Sequence, residues 1–176
     1  KGAEISAVTF SSDVSRELNT YDIDRTILID NENLIDYNPL FFIEVFNQLI
    51  SSHNPDYTIF GHTYETRDWV PRLSARTNIP FISDCISMKV ENDLIFTRSL
   101  YQNKVNADII NKSKSAIVSF QSGAYKLDSL SKGNNETDMT SINLESVENK
   151  INNEEKFKDS DGGIDLSSAE FIVSIG

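Results

Sequence analysis

One cysteine in 176 residues excludes a disulfide framework within the chain. That residue, Cys85, fits a reducing compartment, where thiols stay free. Histidine is nearly as scarce. His53 and His62 are the only two, and no Ser–His–Asp or Cys–His arrangement follows from their spacing. A zinc site needs about four ligands at short spacing, and none occurs. Bases are few: 16 Lys and Arg stand against 27 Asp and Glu, for a net charge of −11. Such a balance argues against nucleic acid, whose phosphates would meet no neutralising surface. It argues equally against anionic membrane surfaces. No run of 18 apolar residues is present, so no membrane-spanning helix is expected. No signal-peptide pattern is visible.

What remains is a chain long enough for one domain with a sizeable core and a tail. Apolar content of 39% is low for a wholly packed chain. The excess acid is local. Residues 127–168 hold ten acids and four bases, among many Asn and Ser, and read as a loose linker. Ile142, Leu144 and Val147 are the candidates for one short strand inside it. The chain starts at Lys1 and opens directly into a strand pattern, so both ends read as cuts in a longer polypeptide.

Two periodicities organise the first half. Glu4–Phe10 and Arg25–Ile29 read as strands, with a weak helix over Ser12–Asn19 between them. The near-continuous apolar run of the second suits burial on both faces of a parallel sheet. Asn38 and Pro39 then cap and start a helix with Phe41, Phe42, Val45, Phe46, Leu49 and Ile50 on one face, which ends at Asn54-Pro55. Tyr57–Phe60 is a strand, and a helix follows from about Thr66 to Arg76, with Pro71 near its start. This order implies a doubly wound α/β fold, Rossmann-like, with a mainly parallel sheet. Ser83–Val90, Leu94–Leu100, Val105–Ile110 and Ala116–Phe120 lack helices between them, and predict antiparallel strands added to that core. Phe171–Ile175 looks like the first strand of a new unit.

The chemistry-bearing stretch is Gly61-His-Thr-Tyr-Glu-Thr-Arg-Asp-Trp-Val-Pro-Arg-Leu-Ser-Ala-Arg76. A strand, a Gly turn and a helix N-terminus is where α/β proteins hold ligands and partners. Gly61, Thr63, Thr66 and Arg67 would form an anion site there, or Thr63 or Thr66 caps the helix and Arg67 and Asp68 bond locally. Arg67, Arg72 and Arg76 make a broad stripe that meets a partner's acids or is simply solvated. Tyr64 and Trp69 are interface anchors, or Trp69 is core. Cys85 reads as a buried, inert thiol. Asp84, Glu91 and Asp93 read as turn and surface carboxylates.

Five segments in order resemble the N-terminal domain of the electron transfer flavoprotein alpha subunit. They are His62–Arg76, Pro80-Phe-Ile-Ser-Asp-Cys85, Phe96-Thr-Arg-Ser-Leu-Tyr101, Ser119-Phe-Gln-Ser-Gly-Ala-Tyr125 and Ala169-Glu-Phe-Ile-Val-Ser-Ile-Gly176. The resemblance implies an adenine-nucleotide alpha-hydrolase-like fold over 1–126 without the family's first strand and helix, a linker over 127–168, and the first strand of an FAD-binding domain over 169–176. Gly176 would begin that domain's glycine turn. It implies FAD bound beyond the chain and no FAD contact, metal or catalytic residue within it. The implied partners are a beta subunit, flavin dehydrogenases of the acyl-CoA type and a membrane quinone oxidoreductase. The implied setting is bacterial cytoplasm, or the mitochondrial matrix in a eukaryote. The fragment would then be scaffold and interface, not an enzyme. A free-standing nucleotide-binding protein or hydrolase using the Gly61 turn is the alternative, and a pure interaction module is a third reading.

Overall fold

The computed structural model describes residues 2–127 and 130–154, with Phe171 and Val173. Strands and helices alternate as the periodicities predict: β1 (Ser6–Thr9), α1 (Ser12–Leu18), β2 (Arg25–Leu28), a 3-10 turn (Glu32–Leu34), α2 (Pro39–His53), β3 (Tyr57–Gly61) and α3 (Tyr64–Thr77). Then come β4 (Phe81–Val90), β5 (Leu94–Leu100), β6 (Val105–Ile110), β7 (Ala116–Phe120) and β8 (Thr137–Met139). The Asn38 side chain accepts from the Leu40 N–H at 3.0 Å, and Pro39 opens α2 without a wasted donor. Both α2 and α3 stop on an asparagine in the left-handed region, Asn54 and Asn78.

The strands form two sheets, ordered β1-β2-β8 and β3-β7-β4-β5-β6. The first is wholly parallel. In the second, β3, β7 and β4 run parallel, and β5 and β6 are antiparallel additions. One apolar core serves both sheets. It joins Ile27 and Ile29 at β2, Ile117 of β7, and the inner faces of α2 and α3. Residue alternation sends Thr26 and Leu28 to the other face of β2, on the side of α1, where they are buried. A second core, around Phe96, Val118, Phe120 and Cys85, fills the face of the larger sheet away from α2 and α3. A bulge between Ile82 and Cys85 bends β4, so that the hairpin brings Phe96 over Tyr57 at 5.5 Å.

Three expectations are corrected. Ala116–Phe120 is no antiparallel addition. Every one of its five residues is buried, so it takes the two-sided centre of the parallel strands. Ile142–Val147 forms no strand; Leu144 is buried in the main core, and the strand of this region is Thr137–Met139. Pro71 lies in the interior of α3, because that helix begins at Tyr64. Its missing N–H leaves the Arg67 carbonyl without the usual helical donor. The strand expected over Phe171–Ile175 falls on residues that lie for the most part outside the described ones; of the two described, Phe171 and Val173, both are exposed.

The acidic segment is fastened rather than loose where it is described. The Gly133 N–H donates to Thr20 O, the Asn135 N–H to Asn19 O, and the Asn135 amide to Tyr21 O at 2.7 Å. Lys132 Nζ lies 4.2 Å from the centre of the Tyr21 ring. Further on, Gln48 donates to Asn143 O and Asn38 to Asn149 Oδ1. Its charged side chains stay in water, while its backbone groups make the bonds that hold it, which composition does not register. A Cβ on Gly133 would stand 2.4 Å from Tyr21 O. Gly133→Ala therefore lowers the urea midpoint, at a cost of about 1–3 kcal/mol, by prising this strap from the loop before β2. An unchanged midpoint would mean the strap adds no stability.

Candidate functional site

The carboxyl ends of β3 and β7 and the middle of β4 meet near the start of α3, where doubly wound sheets place their ligands. The local sequence closes this helix end tightly. Thr63 Oγ1 accepts from the Thr66 N–H at 3.2 Å, and Thr66 Oγ1 accepts from the Thr63 N–H at 2.8 Å. Thr66 Oγ1 also donates to Gly61 O at 2.7 Å. The His62 N–H is held by Phe120 O. Few donors remain for an anion, and Glu65 brings negative charge to the first turn. Gly61 sits in ordinary extended backbone, and a Cβ there meets nothing closer than 3.9 Å. This geometry is a capped helix rather than a phosphate cradle.

The arginine stripe divides. Arg72 pairs with Asp68 and Arg76 with Glu44 of α2, so both serve this chain's own acids. Arg67 lies 5.6 Å from the centre of the Tyr64 ring, and Tyr64 is 88% exposed. Trp69 does not join them: it is 4% exposed and stacks on Phe46 at 5.1 Å. The outward face of this turn is thus Tyr64 and Arg67.

Asp68 also accepts from the Tyr37 hydroxyl at 2.7 Å. Burial and this bond raise the tyrosine pKa, while the same bond and Arg72 hold the Asp68 carboxyl below the usual range. Asn153 donates to Tyr37 O at 2.9 Å, which ties the far end of the acidic strap to the same place.

Sequence spacing missed one cluster. His62 and Gln121, just past the ends of β3 and β7, meet Ser119 of β7 and Asp84 of β4 at the bulge. Asp84 takes a left-handed backbone, φ 64°, which turns its carboxylate toward Gln121 Nε2 at 3.0 Å and His62 Nε2 at 3.5 Å. Ser119 Oγ lies 2.9 Å from His62 Nδ1 and accepts from the Asp84 N–H at 3.2 Å. These three residue types suggest nucleophilic chemistry, but Ser119 is wholly buried and no substrate reaches its oxygen. The cluster locks three strand ends. The only signal for it in the sequence is Asp84 inside an otherwise strand-like run. Beside it, burial pushes the Cys85 thiol up to about 11, away from nucleophilic use.

Among the described residues no group of His, Cys, Asp and Glu could hold a metal ion. No described helix is long and apolar enough to cross a membrane. Two crevices are large enough to bear on flavin dinucleotide binding. One, of about 440 Å³, is lined by Asn31, Asn33, Asn143, Glu145, Asn149 and apolar side chains. The other, of about 290 Å³, is lined by Leu40, Ile43, Arg76, Val147, Glu148 and Lys150. The first presents an acid and no base to a diphosphate. In the second, Arg76 is engaged by Glu44 and Glu148 opposes the phosphate charge. Neither fits FAD.

Comparison with known proteins bears on residues 1–150, which match the family model described as the electron transfer flavoprotein domain. The electron transfer flavoprotein subunit alpha of Bacillus subtilis (strain 168) is 29% identical over 168 residues, covering 93% of this chain and 50% of the relative. That of Methylophilus methylotrophus is 25% identical over 157 residues, covering 88% and 48%. The lactate dehydrogenase (NAD(+),ferredoxin) subunit LctC of Acetobacterium woodii is 27% identical over 166 residues, covering 91% and 39%. The chain thus spans about half the length of the curated relatives it matches, or less.

Two outcomes separate framework from surface here. Trp69→Ala lowers stability by about 3–5 kcal/mol in denaturant unfolding, and Gly61→Ala stays within about 0.5 kcal/mol of the parent; the reverse ranking would contradict the geometry. The stability gap between the parent and Tyr37→Phe is pH-dependent. The depressed Asp68 contributes fully above its unfolded pKa of about 3.9, and its part is lost as pH falls through the folded value. The raised Tyr37 contributes below its unfolded value of about 10, and its part is lost as pH rises through the folded one. A plateau near neutrality that closes on both sides is expected; a flat gap down to acid pH would refute the Tyr37–Asp68 bond.

Proposed function

Because the chain belongs to the electron transfer flavoprotein family, we propose that it is the framework portion of an alpha subunit in a two-subunit carrier. The family match over residues 1–150 carries this reading. The complete carrier takes electrons from flavin dehydrogenases of the acyl-CoA type and passes them through a quinone oxidoreductase to the respiratory chain. The flavin supplies the redox chemistry. FAD sits on polypeptide beyond these residues, a reading supported by the poor chemical fit of both crevices. We divide the chain at about residue 126, with 127–168 leading to a flavin-binding unit that begins near 169. The cytoplasm is the proposed setting, in keeping with the single buried thiol.

This portion's own work is to hold the beta subunit. The exposed turn at Tyr64 and Arg67 is the proposed contact, since an aromatic ring under a guanidinium is a common interface anchor. Thr63, Thr66 and Arg72 act behind it by fixing the turn. The nucleotide-binding alternative retains one supporting observation: among the described residues no carboxylate pairs with the Arg67 guanidinium, which lies over the Tyr64 ring. The closed cap and the neighbouring Glu65 count against it.

The purified 176-residue chain should be colourless, bind no FAD at micromolar concentration, and capture the beta subunit in a pull-down that Arg67→Ala weakens about tenfold. A yellow preparation would overturn the division. Saturable binding of AMP or ATP, lost in Arg67→Ala, would favour the alternative.

A further inference from the structure

Four asparagines and one glutamate gather where the acidic strap crosses the 3-10 turn after β2. They line the crevice of about 440 Å³ that offers a diphosphate no base, over a floor of Phe41, Ile142, Leu144 and Val147. Phe41 and Leu144 belong to the main core, so the floor is fixed from below. The amide oxygens are committed to the chain itself. Asn31 Oδ1 accepts from the Asn33 N–H at 3.0 Å and from Asn33 Nδ2 at 3.1 Å. Asn143 Oδ1 accepts from the Glu145 N–H at 2.9 Å. Asn149 Oδ1 accepts from the Ile151 N–H at 3.1 Å and from Asn38 Nδ2 at 2.9 Å. An amide oxygen turned into the chain turns its NH2 outward, since the two groups share one carbon.

Three donors therefore line one crevice, and among the described residues none of these NH2 groups meets a protein acceptor. Two acceptors complete the set. Glu145 joins no ion pair among the described residues, and Asn33 gives its NH2 to Asn31 and keeps its own oxygen free there. The walls are pinned: Gln48 of α2 donates to Asn143 O at 2.7 Å, and Asn38 holds Asn149. Donors set in advance lower the ordering cost of binding. The lining then excludes most ligand classes. Its one charge is Glu145, which repels phosphates and carboxylates. An ammonium group would suit Glu145 but give three donors nothing to bond. A wholly apolar ligand would strip water from those donors and replace none of it. A neutral molecule with several oxygens, hydroxyl hydrogens for Glu145 and Asn33, and a C–H face for the apolar floor satisfies every group. Those are the features of a sugar.

We infer that the crevice between the strap and the 3-10 turn is a binding site for a neutral sugar. The NH2 groups of Asn31, Asn143 and Asn149 donate to its oxygens, Glu145 and Asn33 accept from its hydroxyls, and one face of the ring lies on the apolar floor. The volume of about 440 Å³ falls within the range of small-ligand sites. This site goes beyond the carrier reading, since it needs neither the beta subunit nor a flavin.

Side-chain amide signals of the nitrogen-15-labelled 176-residue chain report on the site directly. Titration with D-ribose or D-glucose should move the NH2 pairs of Asn31, Asn143 and Asn149 together and saturably. A dissociation constant of about 1 mM is expected for at least one sugar, as a few hydrogen bonds in an open crevice give. Ribose 5-phosphate or glucose 6-phosphate should bind about fivefold more weakly than its parent sugar, the effect of one like charge at close range in water. Glu145→Gln should remove that difference. Asn143→Asp keeps the oxygen that caps its turn and loses only the donor, so binding should weaken about fivefold while the melting temperature stays within about 2 °C. Asn31→Asp makes the same change on the opposite wall and should give the same loss. No saturable shift of these pairs by either sugar up to about 100 mM, a hundred times the expected constant, would overturn the inference. So would tighter binding of a phosphate ester, or undiminished binding in both Asp variants. Flavin binding and beta-subunit capture are read separately, so their outcome bears on the proposed function and not on this site.

Discussion

The aromatic stack on α2 is the contact on which the rest of this molecule depends. Phe42 and Phe46 project from one helix and gather Phe10, Tyr37, Phe60 and Trp69 around them, with ring centres 4.9–6.2 Å apart. Among the described residues no strand pairing connects β1-β2-β8 to the larger sheet. These rings, with the aliphatic residues beneath them, hold the two sheets in one body. Large rings suit the task, since each buries more area than an aliphatic side chain and meets neighbours edge-on or stacked.

Function is positioned by the same stack. Trp69 anchors α3 from within, so the outward side of that helix start presents Tyr64 and Arg67 in a fixed place. The Tyr37–Asp68 bond and the Arg76–Glu44 pair then tie α3 to the start and middle of α2. At the strand ends, the buried Ser119 and the turned Asp84 use their polar groups on one another, which leaves a closed surface in place of an open pocket. The proposed framework role calls for a rigid face more than a cavity.

Much of this was legible in the residues. The stripe of α2, its Asn38-Pro39 start and its Asn54 stop are local signals, and the helix forms where they place it. The strand–turn–helix at Gly61 was equally plain, and so was its family. Three features were not legible, each because it depends on contacts distant in sequence. Ala116–Phe120 follows two antiparallel strands, and only its burial on both faces reveals a central parallel place. The strap at 131–149 is acidic and polar, and its hold comes from backbone groups that composition does not show. His62, Asp84 and Ser119 are brought together only by strand order and by a bulge of non-glycine residues. Trp69 was open between core and interface, and the stack decides for core.

Native-state hydrogen exchange tests the central claim most directly. If the aromatic stack joins both sheets into one cooperative body, the slowest amides of β2 and β7 open with the same free energy, and Phe46→Ala lowers both together. Two distinct opening energies, or a loss in one sheet alone, would show two separately stable halves and contradict the account.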